Sequence, residues 1–216
     1  MPDTLTNTML HQIDHLVYAT PDLNMGVDEI ERLLGVRPAP GGRHPGWGTQ
    51  NALLSLGVQI YLEVLGPDPD QHDFNGKRLF EVDKLSQSRL LTWVAKRNNL
   101  ENLVNEARKA GLDLGKVSQG SRKRSDGATL SWRLTDPYKI DYDGLLPFFI
   151  DWGATPHPAD SAPSGCVLAG LDGEHPQADR VQASLTALGI ELKIKQSAQP
   201  RLVATIRTPG GVVELR

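Results

Sequence analysis

Three amphipathic segments, each closed by a glycine, constrain this chain more than any other feature of its sequence. The first opens at Thr20-Pro21-Asp22, a cap-like entry with proline in the first turn. It carries Val27, Ile30, Leu33 and Leu34 and stops at Gly35. The second carries Leu100, Leu103, Val104 and Ala107 and stops at Gly111; the third carries Ala178, Val181, Leu185 and Leu188 and stops at Gly189. Apolar residues spaced by three and four make one face of a helix, and a glycine after the last turn accepts the left-handed conformation that ends it. From Gly35 to Gly111 is 76 residues and from Gly111 to Gly189 is 78. Spacing this regular points to an internal repeat.

Strand-like runs surround each helix. Ile13 to Thr20, Leu90 to Lys96 and Cys166 to Leu171 precede the three helices. Asn51 to Leu56 and Gln59 to Leu65 follow the first, and Ala128 to Leu134 and Leu145 to Trp152 follow the second. Glu191 to Lys195, Arg201 to Thr208 and Gly211 to Leu215 follow the third, with Thr208-Pro209-Gly210-Gly211 as a hairpin turn. Each unit reads as strand, helix, then two or three antiparallel strands. One such unit cannot cover both faces of its sheet, so units are expected to pack side by side.

Composition narrows the function classes. The chain has 216 residues, 39% hydrophobic, long enough for a core without disulfide or metal staples. The single cysteine, Cys166, excludes an intrachain disulfide framework and a Cys-rich zinc module. With 23 Lys and Arg against 26 Asp and Glu, the chain lacks the basic surplus of a general nucleic-acid binder. The polar segment from Met1 to Leu10 reads as no signal peptide, and no apolar run approaches the ~20 residues that span a bilayer. The expectation is a cytoplasmic protein acting on a small molecule, with neither nucleic acid nor membrane as a partner.

Two strand residues stand out chemically. In Ile13-Asp14-His15-Leu16-Val17-Tyr18-Ala19, alternation places Ile13, His15, Val17 and Ala19 on one face. A histidine in that apolar row must be hydrogen-bonded, titrating or ligated. Glu63 shares a strand face with Tyr61 and Leu65, where it is either a costly buried acid or an outward-facing one on an edge strand. If the first and last strands of a unit run side by side, His15 and Glu63 converge as imidazole and carboxylate metal ligands do. Asp151, in the apolar strand Pro147 to Trp152, is the third ligand candidate. Trp93 holds the position of His15 in the second unit and cannot ligate.

Other candidates lie in loops. His44 belongs to Gly41-Gly42-Arg43-His44-Pro45-Gly46-Trp47-Gly48-Thr49, read as a glycine-rich loop held close to a ligand or as a mobile surface loop. It could serve as ligand, acid/base or substrate donor. Arg122, Arg124 and Arg133 cluster around the Asp126-Gly127 turn, where they would neutralise a substrate carboxylate or phosphate, or form a solvated hairpin. His157 is a weak candidate in a proline-rich connector.

With His15, the glycine-rich segment and Glu63 in place, the chain resembles the vicinal-oxygen-chelate superfamily in its glyoxalase-like branch, the type of the glyoxalase, bleomycin-resistance and dihydroxybiphenyl-dioxygenase proteins. The matching stretches are Ile13 to Ala19, Gly42 to Thr49 and Tyr61 to Pro67, joined by Ser121-Arg122 through Trp132-Arg133 and Phe149 to Gly153. The resemblance implies an α+β fold in which repeated βαβββ modules form a curved, cup-like mixed sheet with helices outside. Residues 11–153 would hold the module pair, about 11–68 and 88–153, and 154–216 a third, degenerate module that flanks the pair or makes a homodimer contact. It also implies a divalent metal (Zn, Mn, Fe or Ni), although Trp93 and the short Asp151 depart from the usual ligand set.

The leading reading is a metal-dependent isomerase, lyase or dioxygenase on a small oxygen-rich, anionic substrate, through a metal-stabilised enolate or oxyanion. His15, Glu63 and Asp151 would hold the metal and His44 would be catalytic. Trp47, Trp93, Arg122, Arg124, Arg133 and Trp152 would contact the substrate. The competing reading is a metal-free protein that binds or sequesters a small molecule in the same cup, lined by Trp47, Trp93, Trp132 and Trp152. A third, an iron-dependent ring-cleaving dioxygenase, needs His15, His44 and Glu63 together.

Overall fold

The computed structural model describes residues 9–71, 74–123 and 129–216. Arg124 and the Asp126-Gly127 turn lie outside the described residues.

The three expected helices form as α1 (Leu23–Leu34), α2 (Leu100–Lys109) and α3 (Ala178–Ala187). Asp22 caps α1 by accepting from the Met25 amide at 3.0 Å. Gly35, Gly111 and Gly189 all take the left-handed conformation that ends a helix. Around the first two helices lie β1 (Ile13–Ala19), β2 (Ala39–His44), β3 (Thr49–Ser55) and β4 (Tyr61–Pro67), then β5 (Arg89–Lys96), β6 (Ser118–Lys123), β7 (Thr129–Leu134) and β8 (Phe148–Asp151). They form one eight-stranded sheet in the order β2-β3-β4-β1-β5-β8-β7-β6. Each βαβββ module contributes half. Its first strand pairs in parallel with its last, β1 with β4 and β5 with β8, and β1 pairs antiparallel with β5 to join the halves.

The sheet curls until its two edge strands approach each other, because the Arg122 guanidinium on β6 donates to the Gly41 carbonyl on β2. This latch makes the sheet a nearly closed cup. Its outer face carries α1 and α2 over an apolar core that includes Ile13, Leu16, Ile30, Leu62, Trp93, Leu100 and Phe149. The inner face carries Val17, Leu65, Leu91, Val94, Trp132, Phe148 and Ile150.

Two strands were not legible from apolar periodicity. The glycine-rich segment expected as a loop is strand β2 as far as His44, with a 3-10 turn over Pro45–Trp47. Glycine is needed at Gly41, since a Cβ there would lie 2.2 Å from the Asn51 side-chain oxygen. Pro40 is tolerated because β2 is an edge strand. Strand β6, Ser118–Lys123, is polar for the same reason: it is the other edge.

The third unit keeps the element order with β9 (Val167–His175), α3, β10 (Ile194–Gln196), β11 (Arg201–Thr208) and β12 (Gly211–Leu215). Its sheet order, β10-β9-β11-β12, differs from that of the modules. The first strand, β9, is flanked on both sides, parallel by β10 and antiparallel by β11. In the other two units the first strand is the free edge that joins the partner module. The third unit has no such edge, so it is not an unmatched half cup. It packs instead on the outer core, where Leu168, Val181, Leu185 and Ile206 join the same cluster as Ile13 and Leu62. Backbone bonds from Ser55 to Pro163, Leu168 to Leu56 and Leu90 to Arg216 fix it there.

Candidate functional site

Inside the cup, one module supplies a polar wall. His15, Glu63, His44 and Asn51 come from β1, β4, β2 and β3, and all four are buried. A second wall from the other module is apolar apart from Arg122 on β6, with Trp132 and Leu134 from β7, Phe148 and Ile150 from β8, and Trp152 just beyond. Leu79 and Phe80, from the segment linking the modules, also line the space, and Trp47 stands beside His44. The free space between the walls is about 480 Å³ with the open solvent at its mouth included, and only about 40 Å³ of it admits the centre of a water-sized molecule.

The polar wall is organised around a residue that alternation misplaces. The register of β1 against β5 shifts between Ile13 and His15. This bulge gives Asp14 no partner of its own and moves Ile13 to the outer core with Leu16 and Tyr18. The expectation that Ile13 shares a face with His15 is therefore corrected. Asp14 is fully buried and accepts from three side chains: His15 Nδ1 at 2.8 Å, His157 Nε2 at 3.2 Å and Trp152 Nε1 at 3.1 Å. Burial alone would push its carboxyl up, but the bonds from His15 and His157 outweigh that and hold it at about 2. Asp14 is thus ionised and acceptor-only, which places the proton of His15 on Nδ1. His157 accepts the Ala159 amide on its own Nδ1 at 3.2 Å, so its Nε2 carries the proton given to Asp14.

With Nδ1 committed, His15 turns its Nε2 toward Glu63 Oε2, 3.7 Å away. Tyr61 stacks on the His15 ring with centroids 4.5 Å apart and fixes its plane. The second Glu63 oxygen accepts from Asn51 Nδ2 at 2.5 Å. Asn51 also approaches His44 Nε2 at 3.5 Å, while His44 Nδ1 meets Thr49 Oγ1 at 3.1 Å. Burial lowers the His44 imidazole to about 4, with Arg122 and His15 pushing the same way and Glu63 opposing. His44 is neutral at pH 7. Burial, reinforced by Asp14 and Glu63, keeps the Tyr61 phenol protonated far above its ordinary value.

His15 Nε2 and Glu63 Oε2 face each other at a distance too long for a direct hydrogen bond, a gap that a cation would bridge. A carboxylate behind the far nitrogen is also how metal-bound histidines are held. His15 and Glu63 supply two of the donors an ion would need, and among the described residues no third His, Cys, Asp or Glu side chain is close enough to complete a set.

The remaining expected residues divide. Trp47, Arg122 and Trp152 line the cavity, as does His44. Asp151 does not join His15 and Glu63. It follows Ile150 on the opposite face of β8 and accepts from the Gly153 amide at 2.9 Å. Trp93 faces the outer core, where its indole donates to the Leu145 carbonyl at 3.0 Å. Arg133 reaches outward to pair with Glu101 on α2. Alternation explains all three, since each neighbours an inward-facing residue. Sequence reasoning missed Asp14, Asn51 and Tyr61 and underrated His157. Asn51 was findable, because it shares a strand face with Thr49 and Leu53; the roles of Asp14 and His157 depend on a contact across 143 residues.

Residues 13–189 match the family described as a glyoxalase-like domain. The sequence matches none of the curated proteins at a significant level. Among solved structures, a hypothetical protein from Staphylococcus aureus is 13% identical with a TM-score of 0.65, covering 94% of this chain and 98% of that one. The likeness is one of fold, and it extends into the third unit. Methylmalonyl-CoA epimerase from Mycobacterium tuberculosis is 17% identical with a TM-score of 0.44, covering 69% of this chain and 92% of that one. A Streptomyces coelicolor methylmalonyl-CoA epimerase variant in complex with 2-nitronate-propionyl-CoA gives 18%, 0.45, 68% and 98% for the same measures. No helix among the described residues is long and apolar enough to cross a membrane.

Proposed function

The chain belongs to the glyoxalase-like domain family, with a fold of the vicinal-oxygen-chelate type, and from that premise we propose that it is an isomerase- or lyase-type enzyme acting on a small oxygen-rich substrate inside the cup. The observation that carries this reading is the row Asp14, His15, Glu63, in which a buried carboxylate fixes one imidazole nitrogen and aims the other at a second carboxylate.

His15 through Nε2 and Glu63 through Oε2 are the groups that would hold a divalent ion, which when bound would act as a Lewis acid toward neighbouring substrate oxygens. Asn51 orients the Glu63 carboxylate and bridges it to His44. His44, neutral at pH 7 and weakly basic, suits hydrogen bonding near a substrate oxygen better than removing a proton unaided. The protonated Tyr61 hydroxyl is a donor in the same cavity. Trp47, Trp132 and Trp152 narrow the space and keep bulk water from the polar wall.

Metal analysis of untagged protein tests this reading. A stoichiometric divalent ion that is lost in His15→Ala supports it, and metal-free protein of normal stability overturns it. The apolar second wall favours one competitor, a binding protein that sequesters its ligand. Ligand quenching of tryptophan fluorescence without turnover would favour that role.

A further inference from the structure

As it stands, the cavity is too small for the substrate proposed for it. About 40 Å³ admits the centre of a water-sized molecule, and a single water takes ~10–15 Å³ by that measure. Room for about three waters is less than even a two-carbon substrate with neighbouring oxygens occupies. Two side chains that belong to neither module take up the rest. Leu79 and Phe80, from the segment linking the modules, are buried in the inner core, where the Phe80 ring stands 6.1 Å from that of Phe148.

The segment that delivers them is fastened across the rim. Trp47 and Pro137 line the cavity and also an outer recess, shared with Arg108 and Tyr138, that offers about 540 Å³ by the same measure. They form the threshold between the two spaces. Beside Trp47, the Gly48 carbonyl accepts from the Arg78 guanidinium; beside Pro137, the Tyr138 hydroxyl donates to the Lys77 carbonyl at 2.9 Å. Lys77 and Arg78 are thus tied to opposite sides of the threshold, and Leu79 and Phe80 turn inward directly after them. Trp132 and Trp152 border a second recess, but that border is fixed. Trp152 is bonded to Asp14, and Trp132 lies against Gly120, where a Cβ would come within 2.5 Å of the indole.

The seated segment carries backbone strain. Phe80 and Glu81 have φ of +56° and +50°, a region that L side chains seldom adopt and bulky ones least. Two ties and an apolar plug hold this conformation against its strain, and a surface segment held by so few bonds is one that opens locally. We propose that residues 77–82 are a gate, shut in this conformation, and that ligand enters from the Tyr138 recess when Leu79 and Phe80 withdraw. Ligand then binds with an apparent affinity reduced by the fraction of open protein. The gate regulates the cavity assigned above and rests on that assignment.

Alkylation by iodoacetamide, a small neutral reagent, measures opening without any substrate. Ile150→Cys places a thiol on the cavity wall, and Cys166, buried in the outer core, is the internal clock for global unfolding. Peptide mass spectrometry of the full chain reads both rates. The introduced thiol is expected to react faster than Cys166 but well below the rate of an exposed thiol. Phe80→Ala should speed it by at least ~10-fold, since a buried phenylalanine is among the costliest side chains to lose from a packed state. Tyr138→Phe should speed it by about 2- to 10-fold, the range that one hydrogen bond spans. Cys166 should keep its rate in both. Unchanged labelling in Phe80→Ala, equal acceleration at Cys166, or an introduced thiol that already reacts like an exposed one would overturn the gate. Should Ile150→Cys fail to fold, acrylamide quenching of the cavity tryptophans decides. A steeper quenching slope in Phe80→Ala supports the gate, and an unchanged slope overturns it. Protein without metal or turnover that still shows gated labelling would sink the enzymatic reading and leave the gate. Metal and turnover with ungated labelling would sink the gate alone.

Discussion

The two modules of the cup share a topology and differ in what they turn inward. Strand β1 presents His15 to the cavity, whereas β5, its antiparallel neighbour across the joint, turns Leu91 and Val94 toward the inner core. Strand β4 presents Glu63, while its counterpart β8 presents Phe148 and Ile150 and turns Asp151 away. One repeated backbone therefore supplies two unlike surfaces, one able to handle protons or an ion and one able to hold an apolar body. Burying four polar residues on a single strand set requires that they find partners, and the bonds of His15 to Asp14, Glu63 to Asn51 and His44 to Thr49 provide them. The apolar module needs no such network and is held by packing.

The sharpest way to break this comparison is to remove the centre of the polar wall. His15→Ala, which removes the nitrogen donor of the proposed ion, should lower turnover by at least ~100-fold, since Lewis-acid stabilisation is worth several kcal/mol, as read from initial rates once a substrate is in hand. Should the rate survive, the polar module is scaffolding. Asp14→Ala leaves three buried donors without their acceptor, and loss of one partner of a buried charged cluster costs about 3–5 kcal/mol. Urea unfolding of this variant should show that loss, and a cost within 1 kcal/mol would refute Asp14 as the organising group. Arg122→Met removes the latch between the sheet edges; a hydrogen bond from a charged donor is worth about 1.5–3 kcal/mol. Ligand affinity should fall with it, because the two walls are then no longer clasped.

Stability should also respond to pH through the polar wall in two adjoining windows. Unfolded chains bind a proton on His44 near pH 6.5, whereas the folded protein resists until about 4, so stability falls as pH drops through that range. For Asp14 the unfolded carboxyl takes its proton near 3.8 and the folded one only near 2, so a further loss follows below pH 4. Urea midpoints measured against pH should slope in both windows, and the lower slope should flatten in Asp14→Asn. The smallest effects are expected on the other module's outward residues. Asp151→Ala should leave metal content and ligand affinity unchanged, and Arg133→Ala should cost less than about 1 kcal/mol for a largely exposed ion pair. A loss of metal in Asp151→Ala would overturn the one-sided site.

Much of this organisation was legible in advance. The three helices, their glycine ends and the strands that carry His15 and Glu63 follow from periodicity, since a regular helix or strand repeats its facing every 3.6 or two residues. Where the pattern is interrupted the reading fails. A single extra residue at Asp14 reverses the facing of Ile13, and no local pattern announces a bulge. The polar edge strands β2 and β6 lack an apolar signal because neither is sandwiched between strands.

By itself, then, the sequence determined which elements form and which face of each is apolar, because those properties depend on neighbours within a few positions. Only the tertiary structure decided which groups meet. It brought His157 and Trp152 to Asp14 across 143 and 138 residues, aimed Arg122 at a backbone carbonyl, turned Trp93 and Asp151 away from the cavity, and left β9 without a free edge. Such contacts depend on how a twisted sheet closes on itself, and closure is a property of all eight strands together.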